Sequence, residues 1–155
     1  MTNTHTETEH ELKTSLERFE DCLVAPVMAG ELLSWINEAQ QAWAAAAAHV
    51  REHVLELHPR QYKQISKADP ELLPRTEKLQ AEDDEIEEDC EEFTRSIHRF
   101  SEHAPKFEPD EEKMAVHTKA LVDGGIEFVT RVRKQEAAVH AWFVEAFTRD
   151  GGVAD

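Results

Sequence analysis

The amino-acid sequence predicts an all-α protein, an up-down-up-down four-helix bundle, and three observations carry that reading. Apolar residues recur at alternating spacings of four and three in four separate segments, which is the period of one helix face. Prolines, which punctuate helices, fall at the segment ends: Pro26, Pro59, Pro74, Pro105 and Pro109. Five glycines, six prolines and one tyrosine in 155 residues are few for a β-rich chain. Alanine, leucine, glutamate and lysine, all good helix formers, dominate instead.

Taken in order, residues 1–8 are expected to be a flexible start, with Thr6 and Glu9 spaced as a capping box. The first helix carries Leu12, Leu16, Phe19 and Leu23 and ends at Pro26. The second runs from about Gly30 to His58, with Leu32, Ile36, Ala39, Trp43, Ala46, Ala47, Val50, Val54 and Leu57 in line, and is stopped by Pro59. Its run Ala44–Ala48 suits close helix approach. Residues 59–73 read as a loop, in which Asp69-Pro70-Glu71 has the form of an N-cap followed by proline at the first helical position. The third helix, from Pro74 to about His103, repeats Leu79, Asp83, Ile86, Cys90, Phe93, Ile97 and Phe100. After a loop at 104–110, the fourth helix runs from about Asp110 to Arg149 with Leu121, Phe128, Val129, Val132, Glu136, Val139, Phe143 and Phe147 in line. Gly124-Gly125 is expected to loosen or kink it, and residues 150–155 read as a flexible tail. One domain, residues 9–149, is the expectation for this length.

The net charge of −16 argues against nucleic acid, whose phosphates need Lys and Arg, and against anionic membranes. It suits metal ions or a basic protein partner. Two cysteines, Cys22 and Cys90, without a CxxC, give neither a disulfide framework nor a thiolate zinc site. The polar, acidic start is no signal peptide, no run reaches the roughly 18–20 apolar residues of a membrane span, and a cytoplasmic location is the default. Serines lack a nucleophile setting, there is no glycine-rich phosphate loop and nothing identifies a substrate pocket, so an enzyme that uses a di-metal centre for oxidation is only a third reading. Trp35, Trp43 and Trp142 read as packing residues. Residues 82–92 hold nine acids in eleven, most of them facing solvent, with Arg131, Arg133 and Lys134 placed to neutralise some.

Against such regular stripes the exceptions are informative. Asp83 and Glu136 occupy positions where core residues belong. A buried carboxylate must be paired, protonated or metal-bound, because burial without a partner costs several kcal/mol. His53 lies on the shoulder of the second helix's stripe, His49 further round, and His58 on the opposite flank, outside any site shared with His49. Folding the chain near residues 66 and 107 brings His49, His53, Asp83 and Glu136 to about one level, with Glu77 nearby and His140 one turn beyond Glu136. Carboxylates and imidazoles converging in a helix bundle suit a non-haem iron or manganese pair, and zinc fits the same ligands. The expected metal ligands are therefore His49, His53, Glu77, Asp83, Glu136 and His140, with iron first, a di-iron centre included. The alternative is a metal-free polar cluster in a helical interaction or scaffold module, which would meet a basic partner or a second copy of itself.

The bundle size, the histidine-rich second helix and the leucine-proline entry to the third (Glu71-Leu72-Leu73-Pro74-Arg75) resemble the hemerythrin-like HHE family over residues 30–147. That resemblance implies a di-iron centre held by five histidines and two carboxylates, which binds oxygen or senses oxygen, nitric oxide or redox state. Gln64 and Ala68 stand where the family has His-x-x-x-Glu, acids 83–84 replace an early histidine of the third helix, and Arg131–Glu136 replaces a histidine followed by two glutamates, keeping only Glu136. These departures leave two expectations: a site shifted toward a carboxylate-rich composition for oxygen or redox sensing or metal handling, or a scaffold without a site.

Overall fold

The protein, seen in a computed structural model that describes residues 2–150, is an all-α helical bundle. Its elements are α1 (Thr2–Val24), α2 (Leu32–Glu52), a π turn (His53–Leu57), α3 (His58–Ala68), a 3₁₀ turn (Pro70–Leu72), α4 (Leu73–Phe107) and α5 (Glu111–Asp150). No helix among the described residues is long and apolar enough to cross a membrane. The packing divides into two compact units. One comprises the residues up to Val50 with Asp89–Val129, the other Arg51–Glu88 with the residues from Thr130 on.

The first unit is built from α1, α2, the later half of α4 and the earlier half of α5. Neighbouring helices run antiparallel, because Trp35 lies near Cys22 and Trp43 near Phe19, while Trp35 also meets Phe100 and Trp43 meets Phe93. The predicted stripe Leu12, Leu16, Phe19 and Leu23 is buried in full. Trp43 centres an aromatic cluster, 5.1 Å from Phe19, 4.6 Å from Phe93 and 5.1 Å from Phe128 by ring centroids, in the tilted and edge-to-face orientations that aromatic quadrupoles favour. Both indole N–H groups are satisfied, Trp43 donating to Thr94 Oγ1 and Trp35 to the Cys22 carbonyl. The turn between α1 and α2 uses Gly30 at φ +85°, a backbone conformation open to glycine without a Cβ penalty.

In the second unit three helical stretches pack together: the π turn with α3, the earlier half of α4 and the later half of α5. Its core holds Tyr62, Ile65, Leu72, Leu79, Val139 and Ala146, with Trp142 and Phe143 against it. The Arg75 guanidinium lies 5.1 Å above the Trp142 ring, a cation–π contact.

Several boundaries differ from the expectation, each for a physical reason. Pro59 does not stop the second helix. A proline has no N–H to give and its ring crowds the carbonyl four residues back, and here the preceding turn opens: the His58 N–H bonds to the His53 carbonyl, five residues back, so the chain passes Pro59 as a π turn and continues as α3. Residues 59–73 are therefore largely helical, and the hairpin into α4 lies at Asp69–Leu72. Asp69 caps it as expected, accepting from the Glu71 N–H. Pro105 sits within the last turn of α4, which runs to Phe107. Asp110 then caps α5 by accepting from the N–H groups of Glu112 and Lys113. α1 begins at Thr2, ahead of the expected cap at Thr6. The tail from Gly151 on lies outside the described residues.

Gly124-Gly125 does not break α5, which is continuous from Glu111 to Asp150. The two glycines differ in surroundings. A Cβ on Gly125 would sit 2.5 Å from Leu23 Cδ1 and 3.3 Å from both Phe19 and Phe93, whereas one on Gly124 would meet only Phe93, at 3.8 Å. Gly125 is thus a close-approach residue between α1, α4 and α5. Gly124→Ala is expected to stabilise the protein by about 0.5–1 kcal/mol through helix propensity. Gly125→Ala is expected to destabilise it by about 1–2 kcal/mol, because overpacking outweighs the same propensity gain. Urea denaturation of the two variants measures the difference.

Candidate metal centre

The site lies within the second unit, and the π turn decides its membership. At 3.6 residues per turn, five residues rotate a side chain by roughly 140°, which is why regular periodicity sends His58 to the flank opposite His53. A π turn spends about one more residue per revolution. His53 and His58 therefore both point inward, fully buried at 0% and 1% exposure, with ring centroids 5.8 Å apart. The expectation that His58 stands apart is corrected by this turn.

Asp83 of α4 reaches the cluster from the facing helix. Because the hairpin lies at Asp69–Leu72 and not near residue 66, Asp83 comes opposite His58 and Tyr62 and not opposite His49. Its carboxylate is 1% exposed and fully engaged. The Tyr62 hydroxyl donates to Oδ2 at 2.6 Å, the Gln135 amide donates to Oδ1 at 2.9 Å, and His58 Nδ1 lies 3.0 and 3.1 Å from the two oxygens. Gln135 also donates to the Leu79 carbonyl at 3.0 Å, which fixes its amide.

Glu136 of α5 approaches from the other side. Its Oε1 lies 3.1 Å from His53 Nδ1 and 2.8 Å from His58 Nε2. The second contact has ion-pair distance but lacks hydrogen-bond alignment, so His58 Nε2 is a buried nitrogen aimed at a carboxylate without a formed hydrogen bond. Glu136 keeps 26% of its side chain exposed, which gives the cluster its contact with solvent. His53, His58 and Glu136 each offer one ligand atom, and these atoms lie within 4.8 Å of one another.

The electrostatics follow from the pairing. Burial acts to lower the His58 pKa, but the hydrogen bond to Asp83, with the negative charges of Glu136 and Asp83, outweighs it and lifts the value to about 9. Burial acts to raise Glu136, but the hydrogen bond with His53 and the positive charge of His58 outweigh it and bring it down to about 2. Burial, and then the bond to Asp83, push Tyr62 well above the usual phenol range. At neutral pH the metal-free cluster is therefore an imidazolium held between two carboxylates.

Of the six residues the sequence nominated, His53 and Glu136 come together, and Asp83 stands behind them, turned to His58 Nδ1. His49 belongs to the first unit, with its Nδ1 3.9 Å from Glu11. Glu77 and His140 face solvent. His58, Tyr62 and Gln135 complete the arrangement and were not nominated. Arg131 does pair with an acid of the 82–92 run, Glu85. Among the described residues this is the one group of three His, Cys, Asp or Glu ligands, a set for one ion and not a pair. No protein-family model, curated protein or solved structure matches the chain.

The shifts set a pH dependence. His58 is raised from 6.5 to about 9, so its contribution to stability is complete below pH 6.5 and is lost as pH rises to about 9. Glu136 is lowered from 4.5 to about 2, so its contribution is present above pH 4.5 and is lost as pH falls toward 2. The melting temperature of chelator-treated protein is expected to peak between pH 4.5 and 6.5 and to fall between pH 6.5 and 9, with His58→Gln flattening the alkaline limb. Tyr62→Phe, which removes a donor to a buried carboxylate, is expected to cost about 1.5–3 kcal/mol in denaturant titration.

Proposed function

We propose that the protein binds a single divalent transition-metal ion through His53, His58 and Glu136, with Asp83 orienting His58 from behind. The observation that carries this reading is the convergence of two buried imidazoles and one half-buried carboxylate on a common point, with His58 Nε2 directed at it while its Nδ1 is held by Asp83. A metal-ligating histidine typically engages a carboxylate through its other nitrogen, which fixes the ring and raises its basicity. The spacing also fits. Metal–ligand bonds of about 2.0–2.2 Å leave adjacent ligand atoms roughly 3.0–3.5 Å apart, near the 2.8 and 3.1 Å between Glu136 Oε1 and the two histidine nitrogens.

Two histidines and one carboxylate with positions left over is a donor set used by non-haem iron, and imidazole with carboxylate also accepts manganese and zinc. Such an ion supplies Lewis acidity or redox chemistry when bound. The chain's residues hold it, fix the His58 ring and admit solvent on the Glu136 side. Iron is the first candidate, and oxygen or redox sensing or metal handling is the role proposed for it, in keeping with the hemerythrin-like resemblance. That family's paired centre, however, would need more ligands than this group offers.

A second reading has its own support. Glu136 meets both histidines at ion-pair distance, so the cluster also balances without a metal, as a buried ion network in a helical interaction module. The two readings separate by experiment. Protein expressed in iron-supplemented medium is expected to carry about one metal per chain by elemental analysis, and Glu136→Leu and His53→Ala to lose it, while His140→Ala keeps it. Because the ion must displace the His58 proton, affinity is expected to rise about tenfold per pH unit between pH 6.5 and 8.5. Metal-free protein whose melting temperature ignores Fe²⁺, Mn²⁺ and Zn²⁺, with Glu136→Leu more stable than the parent, sinks the metal reading in favour of the network.

A further inference from the structure

The first unit carries a feature that the metal reading does not use. Between the end of α4 and the start of α5 lies an open cavity of about 470 Å³, within the size range of small-molecule sites. Its walls are Phe93, Phe100, Phe107 and Leu121, and Gly124 leaves space on the α5 side. Where a Cβ on Gly125 would collide, one on Gly124 would reach only Phe93 at ordinary contact distance, so the glycine lines the open space.

The polar groups at this cavity are all basic or neutral. Arg99, His103 and His117 line it, with Ser96 the remaining polar side chain. Arg99 and His103 are four apart on α4 and so share a face, and His117 faces them from α5. In a chain of net charge −16 the absence of an acid from this lining is distinctive. Arg51, Arg60, Arg131 and Arg149 all pair with acids. Arg99, like Arg18, Arg75 and Arg95, has no acidic partner among the described residues, and of these four it alone lines the cavity. The imidazole of His117 lies nearly parallel to the Phe107 ring, with centroids 4.0 Å apart and planes at 12°, so the cavity already holds one face-to-face ring pair beside its cationic edge.

We propose that this cavity binds a small aromatic carboxylate, its ring among Phe93, Phe100 and Phe107 and its carboxylate toward Arg99, His103 and His117. A planar guanidinium matches a carboxylate in a bidentate fork, and apolar walls with a few convergent polar groups are the usual composition of such sites. The site shares no residue with the metal cluster, so it stands or falls separately.

The test titrates the full chain with 1-naphthoate and follows backbone amide resonances, that of Gly124 among them. One-to-one saturation centred on residues 93–124 is expected. 1-Naphthylmethanol and 1-naphthylmethylamine, which keep the ring but lack the carboxylate, are expected to bind at least about tenfold more weakly, in line with the loss of a charge-assisted hydrogen bond. Arg99→Gln, an exposed and structurally mild change, is expected to bring naphthoate down to the level of the alcohol. Gly124→Leu, which fills the cavity, is expected to abolish saturation while the circular dichroism stays helical. Equal binding of acid, alcohol and amine overturns the proposal, as does binding that survives Gly124→Leu or a titration that never saturates. Concentration-dependent shifts of the same amides without probe would mark a second copy in the groove and overturn it too.

Discussion

The carboxylate of Asp83 is the group on which the second unit depends. It sits on α4 at 1% exposure and engages donors from two other helical stretches: Tyr62 and His58 on α3 and Gln135 on α5. An isolated buried carboxylate is too costly to keep, so these contacts come as a set. Together they fix the rotation of each stretch about its own axis and the level at which they meet. They also decide the chemistry of His58, because Nδ1 is held by Asp83 and Nε2 is thereby directed at Glu136. The apolar core of the unit, Ile65, Leu79 and Val139 among others, supplies burial in bulk but could be satisfied in neighbouring registers. The Asp83 contacts favour one of them.

Glu136 differs from Asp83 in a way that assigns different work to two similar side chains. Asp83 is enclosed and has all its partners in the protein. Glu136 is partly open to solvent and shares a single oxygen between two imidazoles. A closed carboxylate is suited to positioning and an open one to exchange, whether of a proton or of an ion. The same three atoms serve both, since a proton shared between nitrogen and oxygen and a metal bridging them hold the heavy atoms at comparable separations.

Much of this was legible in the sequence. The four apolar stripes predicted the helices outside residues 59–73 and most of the first unit's core, because a core stripe is enforced by burial along its length. Of the second unit's cluster of Tyr62, Ile65, Leu72, Leu79, Val139 and Ala146, only Leu79 and Val139 lay in a stripe, and Phe147, placed in line with Val139, is exposed. Asp83 and Glu136 stood out because they interrupt those stripes, and both are held by imidazoles in the fold. His49 was misplaced because its level was reckoned from a hairpin four or five residues too early. His140 and Glu77 lie on shoulders that turn to solvent. His58 was hidden for a different reason: its angular position was computed through a turn that is not α-helical. Pro59 was the available signal. It was read as a stop, although a proline can also be passed if the turn before it widens. Tyr62 and Gln135 carry no pattern of their own and acquire meaning only from Asp83.

The π turn at His53–Leu57 has one more consequence. In terms of helix phase it is equivalent to a single inserted residue. At its start, His53 and Val54 are buried; after it, His58, Gln61, Tyr62 and Ile65 are. These two sets line one face because the wide turn absorbs the extra residue, its five residues covering nearly the rotation that four cover in an α-helix. The phase therefore depends on the turn staying wide: drawn into a regular α-helix at the present length, the segment would turn His58, Tyr62 and Ile65 by about 100° relative to His53, whereas losing one residue between His53 and His58 would leave an unbroken α-helix with their phase kept. A regular helix of the present length is what the fold could not absorb, because it would dismantle the polar cluster and the core beneath it in a single step.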